Sequence, residues 1–119
     1  MGLSKNQDCL FCRIIRGEIP SQKVFEDKEL LAFKDINPQA PIHIIIIPKK
    51  HIGSLAGAGK KDNALLGRIQ LAMSAIAEKL PGKNNSYRIV SNCGEEAGQS
   101  VFHLHYHLLA GRRFTWPPG

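Results

Sequence analysis

The segment His103-Leu104-His105-Tyr106-His107-Leu108-Leu109 alternates polar and apolar side chains across its three histidines. Alternation with period two predicts an extended strand whose successive side chains point to opposite faces. His103, His105 and His107 then share one face, while Leu104, Tyr106 and Leu108 occupy the other and can pack beneath a helix. Same-face neighbours stand about 6.5–7 Å apart at Cα, so three in a row are too spread for one tetrahedral ion. The outer histidines therefore have tasks different from the middle one.

A neutral imidazole is a good nucleophile toward phosphorus near pH 7, because its ordinary pKa leaves much of it unprotonated. That singles out His105, provided its other nitrogen finds an acceptor such as a backbone carbonyl. His107 can donate to a phosphate oxygen. Just upstream lies Gly98-Gln99-Ser100-Val101, where glycine lets the backbone approach a phosphate closely and offer N–H groups to it.

Working outward, residues 101–110 read as one strand and residues 87–92 as another, joined by a loop over 94–98. Residues 42–48 are rich in isoleucine, end at Pro48 and form the strongest strand candidate. Residues 22–26 and 30–35 are short β-type runs consistent with a hairpin. Asn37-Pro38-Gln39-Ala40-Pro41 is a turn, because neither proline can donate to a ladder. Residues 11–16 read as a short helical turn ended by Gly17, and 53–59 as a loop of small residues. Leu65, Leu66, Ile69, Met73, Ile76, Ala77 and Leu80 recur at helical spacing. They predict a long helix capped by Asp62 or Asn63 and stopped by Pro81-Gly82. The sum is an α+β domain of mostly antiparallel strands with one long and one short helix.

The chain has 119 residues, 43% of them hydrophobic and 22% charged, which suits one globular domain. Its net charge of +6 draws it toward anions, but no basic run with interleaved aromatics argues for nucleic acid. The apolar run 44–47 is far too short to span a bilayer, and the N-terminus is polar through Asp8, so the expectation is a cytoplasmic protein without a membrane partner. Cys9 and Cys12 have a spacing that points to metal or redox chemistry before a disulfide. Cys93 has no visible partner.

The run His103 to Leu109 resembles the signature of the histidine-triad (HIT) family, His-φ-His-φ-His-φ-φ. The resemblance is closest to its purine nucleoside phosphoramidase (Hint) branch. It extends over Ile14-Ile15-Arg16 with Glu18-Ile19-Pro20, over 33–41, 47–52 and Gly98-Gln99-Ser100-Val101, and over Gly111-Arg112 with Trp116-Pro117-Pro118-Gly119. It implies a five-stranded, mostly antiparallel sheet that joins a second sheet in a homodimer, with the 111–119 tail near the active site and residues 1–8 as a flexible N-terminus.

The resemblance also implies roles. His105 attacks phosphorus to give a nucleotidyl-histidine, His107 contacts the phosphate, and Ser100 contacts the leaving amine or a phosphate oxygen. Asn92 and the loop Gly98, Gln99, Ser100, Val101 hold the phosphate. Asp35 accepts hydrogen bonds from the ribose hydroxyls, and Phe11, Ile14, Ile19, Phe33 and Ile36 sandwich the base. The expected partner is a purine nucleoside monophosphate or phosphoramidate, and catalysis requires no cofactor. Some bacterial relatives with a Cys-x-x-Cys bind a structural zinc, and the matching positions here are Cys9, Cys12, His51 and His103. Two thiolates and two imidazoles make a closed tetrahedral set. Three other readings stand beside phosphoramidate hydrolysis: a nucleotide-binding module with incidental catalysis, a dinucleoside polyphosphate hydrolase, and a hydrolase with catalytic zinc.

Overall fold

Every second residue of Leu30–Lys34 and Ile42–Pro48 faces a different core, and that alternation organises the molecule. Leu30, Ala32, Ile44 and Ile46 join one buried cluster; Leu31, Phe33, Ile45 and Ile47 join another on the opposite face. A strand buried on both faces reads as a continuous apolar run, as 42–48 does.

The computed structural model describes residues 9–81 and 85–119. The expectations for residues 1–8 and for Gly82 lie outside the described residues. The elements are α1 (Leu10–Ile15), β1 (Lys23–Glu26), β2 (Leu30–Lys34), β3 (Ile42–Pro48), α2 (Asn63–Glu78), β4 (Tyr87–Val90) and β5 (Tyr106–Ala110). The strands form one antiparallel sheet in the order β1-β2-β3-β5-β4. Helix α2 covers one face, burying Leu65, Ile69, Met73, Ile76 and Ala77 against it. The six-residue α1 lies on the other and buries Phe11, Cys12 and Ile14. Among the described residues no helix is long and apolar enough to cross a membrane.

Three expectations need correction. The strand expected over 101–110 is hydrogen-bonded only from Tyr106 to Ala110. Its ladder with β3 ends at the Ile46–Tyr106 pair, because Pro48 has no N–H to give and its carbonyl accepts a bond from His103 Nε2 at 2.8 Å. Leu104 N–H turns instead to Ile52 O, at 2.6 Å. The facing pattern survives all the same: Leu104, Tyr106 and Leu108 pack under α2, as alternation requires. Second, Asp62 stands at the N-cap of α2 as expected, but its carboxylate makes no capping bond to the helix; it accepts Gly59 N–H at 2.9 Å and Lys50 Nζ at 2.5 Å, closing the 3-10 turn before the helix. Third, α2 ends at Glu78, before Leu80, and i→i+3 bonds from Lys79 and Leu80 tighten its last turn.

Candidate active site

The site builds up on the sheet face that carries α1. Phe33, Ile45 and His107 lie side by side across β2, β3 and β5. His43, diagonal to His107 on β3, completes the polar end of this face. Phe11 of α1 sits over it, with its ring edge-on to Phe33 at 5.7 Å and to His105 at 5.0 Å.

Hydrogen bonds fix the state of each histidine. The His103 carbonyl can only accept, so His105 Nδ1 carries the proton and donates to it at 2.7 Å. That leaves the lone pair on His105 Nε2. On the other side Gln39 N–H donates to His43 Nδ1 at 3.0 Å, so His43 carries its proton on Nε2. This nitrogen lies 2.8 Å from His107 Nδ1 and 3.3 Å from Asp35 Oδ2. His107 Nδ1 is therefore an acceptor, and its proton sits on Nε2. The middle histidine presents a bare nitrogen and the last one an N–H.

Burial is the main cause that lowers the pKa of all three rings. For His43 and His105 it lowers the value below the ordinary imidazole range, with the Asp35 carboxylate pulling the other way. His107 falls to about 4, pushed first by burial and then by His105 and His43. All three are neutral at pH 7.

The other expected residues divide into those the fold brings together and those it does not. Ile14 and Phe33 pack with Phe11 in the buried cluster on this face, and Ile19 and Val101 pack against it. Ile36 is fully exposed and stands apart from them. Asp35 holds the turn with Oδ1, which accepts Asn37 N–H at 2.8 Å, and faces His43 with Oδ2. Gly98 adopts φ +98°, a left-handed conformation that suits glycine, and its Cα faces the Asn92 amide. Gln99 is buried as a brace: its side chain bonds Gly53 O, Val101 O and Gly94 N–H, and its own N–H is taken by Gly94 O. Ser100 follows it, exposed on the loop, and Val101 is half-buried against the cluster.

Sequence reasoning missed His43 and Ser91. The signal for His43 was a lone histidine within an isoleucine strand. Ser91 Oγ donates to His105 O at 2.9 Å, so the carbonyls of both His103 and His105 are engaged.

Cys9, Cys12, His51 and His103 bring four ligand atoms together, all within 4.8 Å of one another. Nδ1 of His51 and of His103 are 3.2 Å apart, and Cys12 Sγ lies 3.2 and 3.5 Å from them. Cys9 Sγ is 3.3 Å from His103 Nδ1. A zinc tetrahedron with Zn–N of about 2.0–2.1 Å and Zn–S of about 2.3 Å has edges of about 3.3–3.8 Å, so the set fits. His103 donates from Nε2 to Pro48 O, which turns the lone pair on Nδ1 toward the other three donors. Burial raises Cys12 to about 12 and lowers His103 to about 4. A divalent cation is the partner that converts such thiols to thiolates. With four protein ligands the set is closed, as structural zinc sites are.

The sequence profile of the HIT domain family matches residues 16–114. An uncharacterized HIT-like protein of Synechocystis is 51% identical over 113 residues, 95% of this chain and 98% of its own. A 14 kDa zinc-binding protein of Zea mays is 48% identical over 112 residues, 92% of this chain and 87% of its own. The crystal structure of a HIT family hydrolase from Legionella pneumophila superposes with a TM-score of 0.90 at 50% identity, covering 93% of this chain and 99% of that one.

Proposed function

The chain belongs to the HIT domain family, and from that premise we propose that it hydrolyses purine nucleoside phosphoramidates through a nucleotidyl-His105 intermediate. The observation that carries this reading is the pair of fixed tautomers, with His105 Nδ1–H held by His103 O and His107 Nδ1 accepting from His43.

In the first half-reaction His105 Nε2 attacks the α-phosphorus, and an N–P bond forms as the substrate P–N bond breaks. The departing nitrogen accepts a hydrogen bond from His107 Nε2–H, whose ring is held by His43 Nε2–H beside Asp35, and it leaves as the amine with a proton drawn from water. The Ser100 hydroxyl and the main-chain N–H groups of Ser100 and Val101 meet the non-bridging oxygens, whose charge needs fixed donors more than covalent help, while the N–H groups of Gly98 and Gln99 are spent on Glu95 O and Gly94 O and shape the loop. Water then attacks the same phosphorus and gives up its proton to solvent as the His105–phosphorus bond breaks, which releases the nucleoside monophosphate and restores neutral His105. A P–N bond suits this site because the leaving nitrogen accepts a proton readily, so one weak acid suffices. Asp35 takes the ribose hydroxyls, and Phe11, Ile14, Ile19 and Phe33 take the base, with Ile36 reaching it only from its exposed loop. The Legionella protein's name as a hydrolase supports the hydrolytic outcome.

The four-ligand set holds a structural zinc, a reading supported by the zinc-binding name of the maize relative and by the donor geometry. Zinc there ties α1 to the histidine segment and leaves the bond-making to the imidazoles. The assembly is a homodimer in which edge strand β4 and the 111–119 tail meet a second copy.

The substrate class is tested by a panel of AMP and GMP phosphoramidates set against dinucleoside polyphosphates. Phosphoramidates should be turned over at least about a hundredfold faster by kcat/KM, the size of a general-acid contribution matched to one leaving group. Equal or faster cleavage of the dinucleoside compounds would replace this substrate class with the other.

A further inference from the structure

We propose that the Cys9, Cys12, His51 and His103 set is a positioning device for the nucleophile, so that what happens at the metal is felt at His105 Nδ1 and the reverse. This rests on the zinc and nucleotide readings above and concerns how the two sites are joined.

His103 belongs to both. Its Nδ1 points into the ligand set, its Nε2–H is spent on Pro48 O, and its main-chain carbonyl is the acceptor at 2.7 Å that keeps the proton on His105 Nδ1. Rotation or displacement of residue 103 therefore moves the one acceptor that decides which nitrogen of His105 is bare. The two histidine ligands also flank a single backbone link, the 2.6 Å bond from Leu104 N–H to Ile52 O, so the ligand set clamps the chain just before His105.

The second connection runs through α1. Cys9 and Cys12 bracket Phe11, whose ring lies 5.0 Å from His105 and 6.0 Å from His103. A six-residue helix is far below the length that is stable alone in water, so its seat depends on side-chain burial and on whatever holds its two cysteines. A third connection is spatial. One cleft of about 860 Å³ is lined by Cys9 and His51 from the ligand set and by Gln99, Ser100 and Val101 from the phosphate loop. A metal that only stapled the chain would need none of these shared groups. Joined sites must influence one another equally in both directions.

Two measurements on folded, metal-loaded protein test this. In the first, the zinc-loaded and cadmium-loaded forms are compared by nitrogen NMR of the imidazoles. The larger ion should shift His105 Nδ1–H, while His43, which touches neither the metal set nor residue 103, stays in place. A His105 resonance that does not move while that of His103 does would overturn the proposal. In the second, cobalt-substituted protein is titrated with AMP. The visible bands of the S2N2 cobalt site should shift and saturate together with AMP binding followed by calorimetry. Calorimetric binding with unchanged bands would likewise overturn the proposal. If AMP does not bind at all, it is the nucleotide reading that fails, and the NMR comparison alone decides the positioning role.

Discussion

His43 shows how a single neutral side chain can direct chemistry it never touches. Its Nδ1 is filled by a main-chain N–H that cannot do otherwise, so its Nε2–H must face His107. Replacing His43 with Phe removes that donor and frees His107 to place its proton on either nitrogen. The kcat for phosphoramidates should fall about tenfold to a hundredfold while KM changes little, since only the acid step loses support. The loss should be largest for strongly basic alkylamine leaving groups and smallest for arylamines, which need less protonation. A uniform loss across both would show that His43 serves structure and not proton placement.

The elements separate stability from chemistry, because α2 and the site occupy opposite faces of the same sheet. Met73 is wholly buried on the α2 face among Ile69, Ile76 and the strands. Met73→Ala should cost about 2–5 kcal/mol, lowering the thermal midpoint by about 10 °C or more, with kcat/KM unchanged at temperatures where the variant stays folded. A changed kcat/KM in folded Met73→Ala would mean the two faces are coupled. The same division explains what could be read from the chain in advance. Alternation in 103–108 and the isoleucine run 42–48 place both faces, and the apolar spacing of 65–77 places α2, because these signals are local. The extent of β5 was not legible, since the end of its ladder depends on Pro48 of a neighbouring strand and on Ile52 beyond it. For the same reason the bracing bonds of the Gln99 side chain were not legible, since its partners Gly53 and Gly94 are distant or turned back on the loop. His43 carried too little local signal, being one polar residue in an apolar strand.

Across the whole molecule, neutral buried histidines tie stability to pH. His43, His105 and His107 have folded pKa values below their ordinary 6.5, so the unfolded chain binds more protons as acid is added. Stability is therefore complete above about pH 6.5 and is lost as pH falls toward 4, with a slope of up to about 1.4 kcal/mol per pH unit for each histidine. Protons competing for the zinc ligands act in the same direction. Denaturant midpoints measured from pH 7.5 to 4.5 should fall throughout the lower half of that range; a flat or rising profile would show that these rings are not held neutral by the fold. The central claim concerns a covalent bond at one atom, and it is tested most directly by quenching a phosphoramidate reaction within its first turnover and mapping the peptides by mass spectrometry under alkaline conditions. The account predicts a nucleoside monophosphate on the peptide containing His105, and its loss together with turnover in His105→Asn, which should still bind AMP. A label on another residue, or full turnover in His105→Asn, would contradict it.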